Sequence, residues 1–318
     1  MTDQLRIGTR ASALALAQTG SMADAIAAKT GREVEIVRIT TEGDTSTESL
    51  KNVGGTGIFA SALRHALLAG ECDVVVHSLK DLPTAPADGL ALAAVPKRAD
   101  ARDALCARDG LRLAQLPGGA RVGTGSPRRR AQLRASRPDL EVVDIRGNVD
   151  TRLGRVGHDL DAVVLAAAGL SRLGRSDAIT ELLELSPWPT APGQGALALE
   201  TRAGDEKLVS ALEHRTSRIT VSAERGVLAL LEAGCAAPVG ASAMIEDGLL
   251  FLSARVYAVD GEHQLTSSHA AYVDDSADPA GEVSQRVARE LLDLGAAELA
   301  PLGSSGAAEP TDASGAAG

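Results

Sequence analysis

The sequence predicts an α/β protein of two units with a cleft between them, followed by a small α+β unit. Between residues 5 and 200, short apolar runs alternate with longer Ala/Leu-rich segments, as strands and helices do around a largely parallel sheet. Residues 96–102 and 186–195 interrupt this alternation; the second of these is rich in Pro and Gly, and both are predicted to cross between the units. From residue 216 onwards the pattern changes to a helix, three strand-like runs and a final helix.

The first predicted unit begins at residue 5. Its strands are predicted at residues 5–9, 33–40, 72–77 and 90–95, and its helices at residues 13–29 and 58–68. Residues 41–57 are polar and Gly-rich, and a connection of this length inside a compact unit is usually mobile or functional. The sequence SLKDLPT directly follows the strand at 72–77, so Lys80 and Asp81 stand at its carboxyl end. Open α/β sheets bind ligands at such ends, which makes both residues candidates for a site.

The second predicted unit repeats the alternation. Its strands are predicted at residues 105–107, 121–124, 141–145 and 161–166, with helices between them. A further strand at 196–200 is predicted to return the chain to the first unit. Two crossings of this kind produce a cleft that opens and closes by hinge motion, as in periplasmic solute-binding proteins.

The third predicted unit is α+β. It consists of a helix at 216–232, strands at 239–245, 249–259 and 263–272, and a helix at 279–294. Residues 303–318 are of low complexity and are predicted to be disordered. We therefore expect a first domain of residues 1–98 and 196–215, a second of residues 99–195 and a third of residues 216–302.

The segment VGTGSPRRR, residues 122–130, predicts an anion-binding helix start. Ser126 suits the N-cap and Pro127 the first helical position, where exposed backbone N–H groups bind anions. Between Arg121 and Arg155 there are nine arginines and four acidic residues, a local excess of +5 in a chain of net charge −10. Such a run is more often a solvated helix face. Here, however, glycines interrupt the run and the arginines cluster in two segments. Both features favour the interpretation that these arginines form one wall of a ligand cleft.

Composition argues against several classes of function. The net charge of −10 disfavours nucleic acid and anionic membranes as partners, and aromatic residues, which stack unpaired bases, make up only 2%. The three cysteines, Cys72, Cys106 and Cys235, are far apart and form no disulfide or metal motif. The N-terminus lacks the apolar core of a signal peptide, and no apolar run is long enough to span a bilayer. We expect a cytoplasmic protein without a metal, membrane or nucleic-acid partner.

Two residues are candidates for chemistry. Asp81 would serve as a catalytic carboxylate at the base of an arginine-lined cleft, where it could stabilise a cation or transfer a proton. The alternative is a turn-capping residue beside Pro83. Cys235 lies in a Gly/Ala/Pro turn, which favours an accessible thiol. The alternative is an inert small apolar residue, an interpretation that Cys72 and Cys106 fit well.

Eight motifs, taken in order, resemble the porphobilinogen deaminase family, also called hydroxymethylbilane synthases. They are RIGTRASALALAQ, VGGTGIF, DVVVHSLKDLPT, VGTGSPRRRAQL, DIRGNVDTRL, AAAGLSRLG, PGQGALALE and EAGCAAPVGA. The resemblance covers about residues 5–300. It implies a fold of two type II periplasmic-binding-protein-like domains and a third small domain, in a monomeric enzyme.

The resemblance also implies a chemistry. The family joins four porphobilinogen molecules head to tail with release of ammonia, on a dipyrromethane cofactor bound as a thioether to the cysteine that here is Cys235. Its catalytic aspartate corresponds to Asp81. The implied cofactor- and substrate-binding residues are Arg10, Ser12, Ser78, Lys80, Thr124, Ser126, Arg128, Arg129, Arg146, Arg152, Arg172 and Gln194. The implied lid residues are Gly54, Gly55, Thr56, Gly57 and Phe59.

The residues agree with this implied chemistry. Each substrate carries acetate and propionate groups, so a growing chain gains negative charge that arginines and helix starts can bind. A carboxylate can stabilise the cation left by loss of ammonia, and a thiol can attack that cation. One departure is in the loop KNVGGTG, where Asn52 and Thr56 occupy positions that are lysine in many members and Lys51 is the nearest substitute.

Two other functions remain as alternatives. A non-catalytic binder of an anionic small molecule would use the same cleft and arginines, although it would not need Asp81 or Cys235. A nucleic-acid-binding regulator would use the PRRR sequence, although the net negative charge of the chain disfavours this function.

Overall fold

The computed structural model describes residues 4–39, 57–234 and 237–302. Within these ranges the chain forms two five-stranded sheets and one three-stranded sheet. The predicted loop up to residue 56, the tail from residue 303 and Cys235 lie outside the described residues. No helix in the described ranges combines the length and apolar character needed to cross a membrane.

The helices and strands up to the second crossing follow the predicted alternation. In chain order they are β1 (Leu5–Thr9), α1 (Ala13–Thr30), β2 (Val34–Arg38), α2 (Gly57–Leu68), β3 (Val74–Ser78), β4 (Leu90–Ala94), β5 (Asp103–Ala107), β6 (Arg121–Gly123), α3 (Pro127–Ser136), β7 (Glu141–Val143), α4 (Val149–Leu153), β8 (Ala162–Ala166), α5 (Ala167–Arg172) and β9 (Glu181–Leu183). Strand β9 was not among the predicted strands.

The remaining elements begin after the second crossing. They are β10 (Leu197–Arg202), α6 (Arg215–Leu230), β11 (Val239–Glu246), β12 (Leu249–Tyr257), β13 (Gln264–Tyr272), α7 (Pro279–Asp293) and α8 (Ala296–Leu299). The predicted helix at 216–232 ends two residues early, at Leu230, and Glu232 has a left-handed φ of 48° that no helix can continue through.

The first two sheets share one arrangement. Their strand orders are β2-β1-β3-β10-β4 and β7-β6-β8-β5-β9. In the first sheet β10 is antiparallel to both neighbours, and in the second β5 is. The other four strands of each sheet run in one direction. Each antiparallel strand is the first strand after a crossing, so the predicted return of the chain to the first sheet is confirmed, as is the type II periplasmic-binding-protein arrangement.

Separate cores hold the three sheets. Ile7 and Leu199 of the first sheet pack with Ile26 of α1, while the second sheet is covered on both faces. The third sheet is antiparallel, in the order β11-β12-β13. Helices α6 and α7 cover it, with Val227 and Val287 in its core. The predicted fold class, two α/β units and a small α+β unit, is confirmed.

Candidate functional site

Asp81 lies in a short turn at the carboxyl end of β3. The strand ends at Ser78, and Leu79–Asp81 form a single 3-10 turn closed by the Leu82 N–H, which donates to the Leu79 carbonyl at 3.2 Å. Leu79 and Leu82 are buried, whereas Asp81 is exposed. The apolar residues therefore anchor the turn in the core and leave the carboxylate of Asp81 facing solvent, as a residue that meets a ligand must.

Lys80 connects this turn to the second unit. Its Nζ donates to Oε1 of Gln194 at 3.3 Å. Burial lowers the pKa of Lys80 to about 8, with Asp81 opposing the shift and Arg129 adding to it. The surroundings of Lys80 therefore bring its pKa close to neutral pH. An added anion nearby would favour the charged form of the side chain.

Asp103, at the first position of β5, organises the arginine segment. It is fully buried, and its carboxylate accepts from Arg128 Nη2 at 2.8 Å, Arg129 Nη2 at 2.7 Å, Trp188 Nε1 at 2.9 Å and Gln194 Nε2 at 2.8 Å. Burial alone would raise the pKa of Asp103. The two guanidiniums and the hydrogen bonds outweigh burial and hold that pKa far below its usual range.

Arg128 and Arg129 are consequently buried, with 4% and 6% of their surface exposed. Arg128 Nη1 also donates to Gln132 Oε1 and to the Pro189 carbonyl, and Arg129 Nη1 donates to the Val164 carbonyl. Among the described residues the Nε atom of each has no hydrogen-bond partner. Both side chains thus lie beneath the surface of the predicted wall, with most of their donors already engaged.

The loop before α3 brings the helix start close to the neighbouring strand. Ser126 caps α3, accepting weakly from the Arg129 N–H at 3.4 Å, and the Ser126 N–H donates to Thr124 Oγ1 at 3.2 Å. A Cβ at Gly125 would lie 2.6 Å from the Ile145 carbonyl oxygen. The glycine permits this close approach, and the predicted helix start at Pro127 is confirmed.

The remaining arginines of the wall are less buried. Arg152 Nε donates to the Gly147 carbonyl, and burial together with Arg129 and Arg146 lowers its pKa. More than half of the Arg146 side chain is exposed, 4.0 Å from Asp144. Arg172 Nη2 donates to the carbonyl of Gly195 at 2.7 Å, next to Gln194. These side chains supply the more accessible positive charge.

The start of α1 lies at the carboxyl edge of the first sheet, where the Asp81 turn also lies. Ser12 is exposed and caps α1 by accepting from the Ala15 N–H at 3.3 Å, and Arg10 lies between this cap and β1. Ser78 accepts from Gln18 Nε2 of α1 at 2.9 Å. This bond joins α1, the helix that follows β1, to the carboxyl end of β3.

Not all predicted positions are described. Cys235, Gly54, Gly55 and Thr56 lie outside the described residues, and Gly57 and Phe59 fall in the first turn of α2. Hydrogen bonds join Lys80 and Arg129 to Gln194, and the Asp103 carboxylate links Arg128 to this cluster.

Sequence reasoning missed Asp103 and three further residues, Arg98, Glu224 and Arg225. Arg98 Nη1 and Nη2 donate to the fully buried Glu224 carboxylate at 2.7 and 2.8 Å. Arg225 donates to backbone carbonyls of the Asp81 turn. No local pattern marks these residues, because their partners are 19 to 146 positions away in the chain.

Comparison with known proteins gives matches along nearly the whole chain. Residues 5–210 match a family model described as the porphobilinogen deaminase, dipyromethane cofactor binding domain, and residues 218–293 match the porphobilinogen deaminase C-terminal domain. A protein named porphobilinogen deaminase from Leifsonia xyli subsp. xyli is 65% identical over 311 residues, covering 94% of each chain. One of the same name from Thermobifida fusca is 50% identical, covering 94% of this chain and 96% of its own.

Solved structures with a similar fold include periplasmic binding proteins. A periplasmic substrate-binding protein of an ABC transporter from Coxiella burnetii aligns with a TM-score of 0.41 at 17% identity, covering 65% of this chain and 91% of its own. A lipoprotein of the YaeC family from Enterococcus faecalis aligns with a TM-score of 0.39 at 15% identity, covering 66% and 89%.

Proposed function

The chain belongs to the porphobilinogen deaminase family, and we propose that it is a hydroxymethylbilane synthase, a transferase of tetrapyrrole biosynthesis. Its substrate is porphobilinogen. Four molecules are condensed head to tail, each with loss of ammonia, and one molecule of water supplies the terminal hydroxyl group of the linear tetrapyrrole hydroxymethylbilane.

The observation that carries this proposal is the excess of cations behind the Asp81 turn. Arg128 and Arg129 are buried against the single carboxylate of Asp103, so one of their positive charges is left uncompensated within the described ranges, and the partly buried ammonium of Lys80 adds to it. A buried charge needs a counter-charge, and an anionic ligand supplies one. Porphobilinogen, with its two carboxylates, fits that requirement.

The same residues fit a dipyrromethane group, which the matching family domain binds. Among the described residues, the buried Nε atoms of Arg128 and Arg129 have no hydrogen-bond partner, and burial lowers the pKa of Lys80. Both observations indicate a site that binds an anion. Lys80, Arg128, Arg129, Arg146, Arg152 and Arg172 would hold its carboxylates, with Arg10, Ser12, Ser78, Thr124, Ser126 and Gln194 around them and Cys235 as its covalent attachment. When bound, the group supplies the primer to which the first substrate unit is joined.

Asp81 has a distinct role in this proposal. Its exposed carboxylate accepts a hydrogen bond from the pyrrole N–H of the substrate and stabilises the positive charge that remains when ammonia leaves. The arginines meanwhile hold the acetate and propionate groups by charge-assisted hydrogen bonds, so the reacting carbon stays beside Asp81.

The test is to incubate the purified protein with porphobilinogen and to measure ammonia and the tetrapyrrole product together. We expect both, in a ratio of four ammonia molecules per product, and we expect the Asp81→Ala variant to retain its bound cofactor while losing turnover. Binding of porphobilinogen without ammonia release would instead support the non-catalytic binder.

The organisation of the molecule is part of the proposal. We infer three domains, of residues 1–98 with 196–215, 99–195 and 216–302, in a cytoplasmic monomer without nucleic-acid or membrane partners. The strand order supports the first two domains, since β10 pairs with β3 and β4 of the first sheet. Light scattering on the purified protein measures the mass of the particle, and a dimer would contradict the monomer.

A further inference from the structure

We propose that Arg225 of α6 is the residue that positions Asp81, by holding the backbone of its turn on both sides of the carboxylate. The inference rests on the proposed function, which makes Asp81 catalytic. Arg225 itself lies behind the turn and acts only through it.

The guanidinium of Arg225 binds the backbone on both sides of Asp81. Nη1 donates to the Leu79 carbonyl at 2.9 Å and to the Leu82 carbonyl at 2.8 Å, and Nη2 donates to the Pro83 carbonyl at 2.8 Å. The turn itself has one short-range backbone bond, from the Leu82 N–H to the Leu79 carbonyl. A single side chain from another part of the fold therefore supplies three of the bonds that fix this turn.

Only arginine can make this set of contacts. Its planar fork presents several N–H groups in fixed directions, whereas lysine presents one rotating ammonium at a single point. Burial lowers the pKa of Arg225, and nearby Arg64 adds to that shift. In the part of the chain that the structure describes, no carboxylate pairs with Arg225. A partly buried charge is costly, and the three carbonyl oxygens offset this cost. These three hydrogen bonds to the Asp81 turn therefore account for the position of Arg225.

Helix α6 is itself fixed next to Arg225. The neighbouring residue Glu224 is fully buried, binds Arg98 of the first crossing and accepts from the N–H groups of Gly193 at 2.8 Å and Ala243 at 2.9 Å. A Cβ at Gly226 would lie 2.5 Å from Ser284 Oγ of α7, so the two helices pack closely at this position. Arg225 accordingly reaches the turn from a rigid base.

The same helix leads to the cofactor attachment residue. Helix α6 ends at Leu230, five positions before Cys235. One element therefore both holds the Asp81 turn, through Arg225, and precedes the residue that carries the cofactor. Because misplacement of a reacting group by about 1 Å can cost about 100-fold in rate, this link has a measurable consequence.

The experiment compares Arg225→Lys with Arg218→Lys in the full-length protein. Arg218 is a matched control on the same helix: its Nη2 donates to the Leu92 carbonyl of the first sheet, away from the Asp81 turn. For each variant, intact mass gives the cofactor content, and steady-state kinetics with porphobilinogen give kcat and KM.

We expect Arg225→Lys to keep the cofactor mass and a KM within about twofold of wild type while kcat falls about 10- to 100-fold. Arg218→Lys should keep both constants. In Arg225→Ala, added methylguanidinium should restore part of kcat, which general destabilisation would not allow. A wild-type kcat in Arg225→Lys would overturn the proposal, as would equal losses in both lysine variants or failure of both Arg225 variants to fold. A fully active Asp81→Ala variant would instead refute the catalytic role of Asp81, and a wild-type protein that releases no ammonia from porphobilinogen would refute the proposed function.

Discussion

Asp103 shows how one polar residue can organise a site from within the core. The carboxylate accepts four hydrogen bonds, two of them from the guanidiniums of Arg128 and Arg129, and no part of it is exposed. It fixes the orientation of both arginines and compensates one of their two charges. The arginine wall therefore depends on an acidic residue that precedes it by 25 positions.

Removing this charge should be costly. We expect Asp103→Asn to lower the free energy of unfolding by about 3–5 kcal/mol, because two buried guanidiniums lose their counter-ion. Urea denaturation measures the change. Asp144→Asn is the control, since Asp144 pairs with Arg130 at the surface and should contribute less than about 1 kcal/mol. Equal effects of the two substitutions would contradict the role assigned to Asp103.

The depressed pKa of Asp103 also predicts a dependence of stability on pH. A carboxyl whose folded pKa lies below its unfolded value of 3.8 stabilises the fold fully above that value, and the contribution is lost as pH falls further. We expect the wild type to lose more unfolding free energy than Asp103→Asn between about pH 4 and pH 2. Parallel stability curves for the two proteins over this range would be inconsistent with an ionised Asp103.

At the scale of elements, the start of α3 was the part of the site most accessible to sequence reasoning. Ser126 and Pro127 are local signals, and the structure confirms both the cap and the first helical position. What local signals could not give is the burial of Arg128 and Arg129, because burial depends on Asp103, Trp188 and Gln194 from distant segments. Asp103 was missed because a polar residue interrupts the apolar pattern by which a strand is predicted.

The close approach at Gly125 gives a prediction for this element. In Gly125→Ala the new Cβ would lie 2.6 Å from the Ile145 carbonyl oxygen, so the loop before α3 must move. We expect a loss of about 1–3 kcal/mol in unfolding free energy, measured by urea denaturation. Gly118→Ala serves as the control, because its Cβ would meet nothing closer than 3.6 Å. Retained stability in Gly125→Ala would mean that the contact is not tight.

At the scale of the whole molecule, the alternation of elements and the two crossings were sufficient to predict two α/β units and a third α+β unit. The sequence did not indicate how these parts are joined. Glu224 binds Arg98 from the first crossing and Gly193 from the second, and Arg225 binds the Asp81 turn. Such contacts between distant segments have no period or motif, so they emerge only from the folded chain.

The chemistry of the three cysteines also belongs to the whole molecule. Burial raises the pKa of Cys72 to about 11 and that of Cys106 to about 12, so both thiols stay protonated and shielded at neutral pH. Cys235 follows the helix that also holds Asp81. We therefore expect covalent cofactor attachment at Cys235 and not at Cys72 or Cys106.

The mass of the intact purified protein tests this central claim most directly. We expect the wild type, Cys72→Ser and Cys106→Ser to exceed their sequence masses by one dipyrromethane group, and Cys235→Ser to match its sequence mass. A wild-type protein with no added mass even after incubation with porphobilinogen, or a Cys235→Ser variant that still carries the group, would contradict the account.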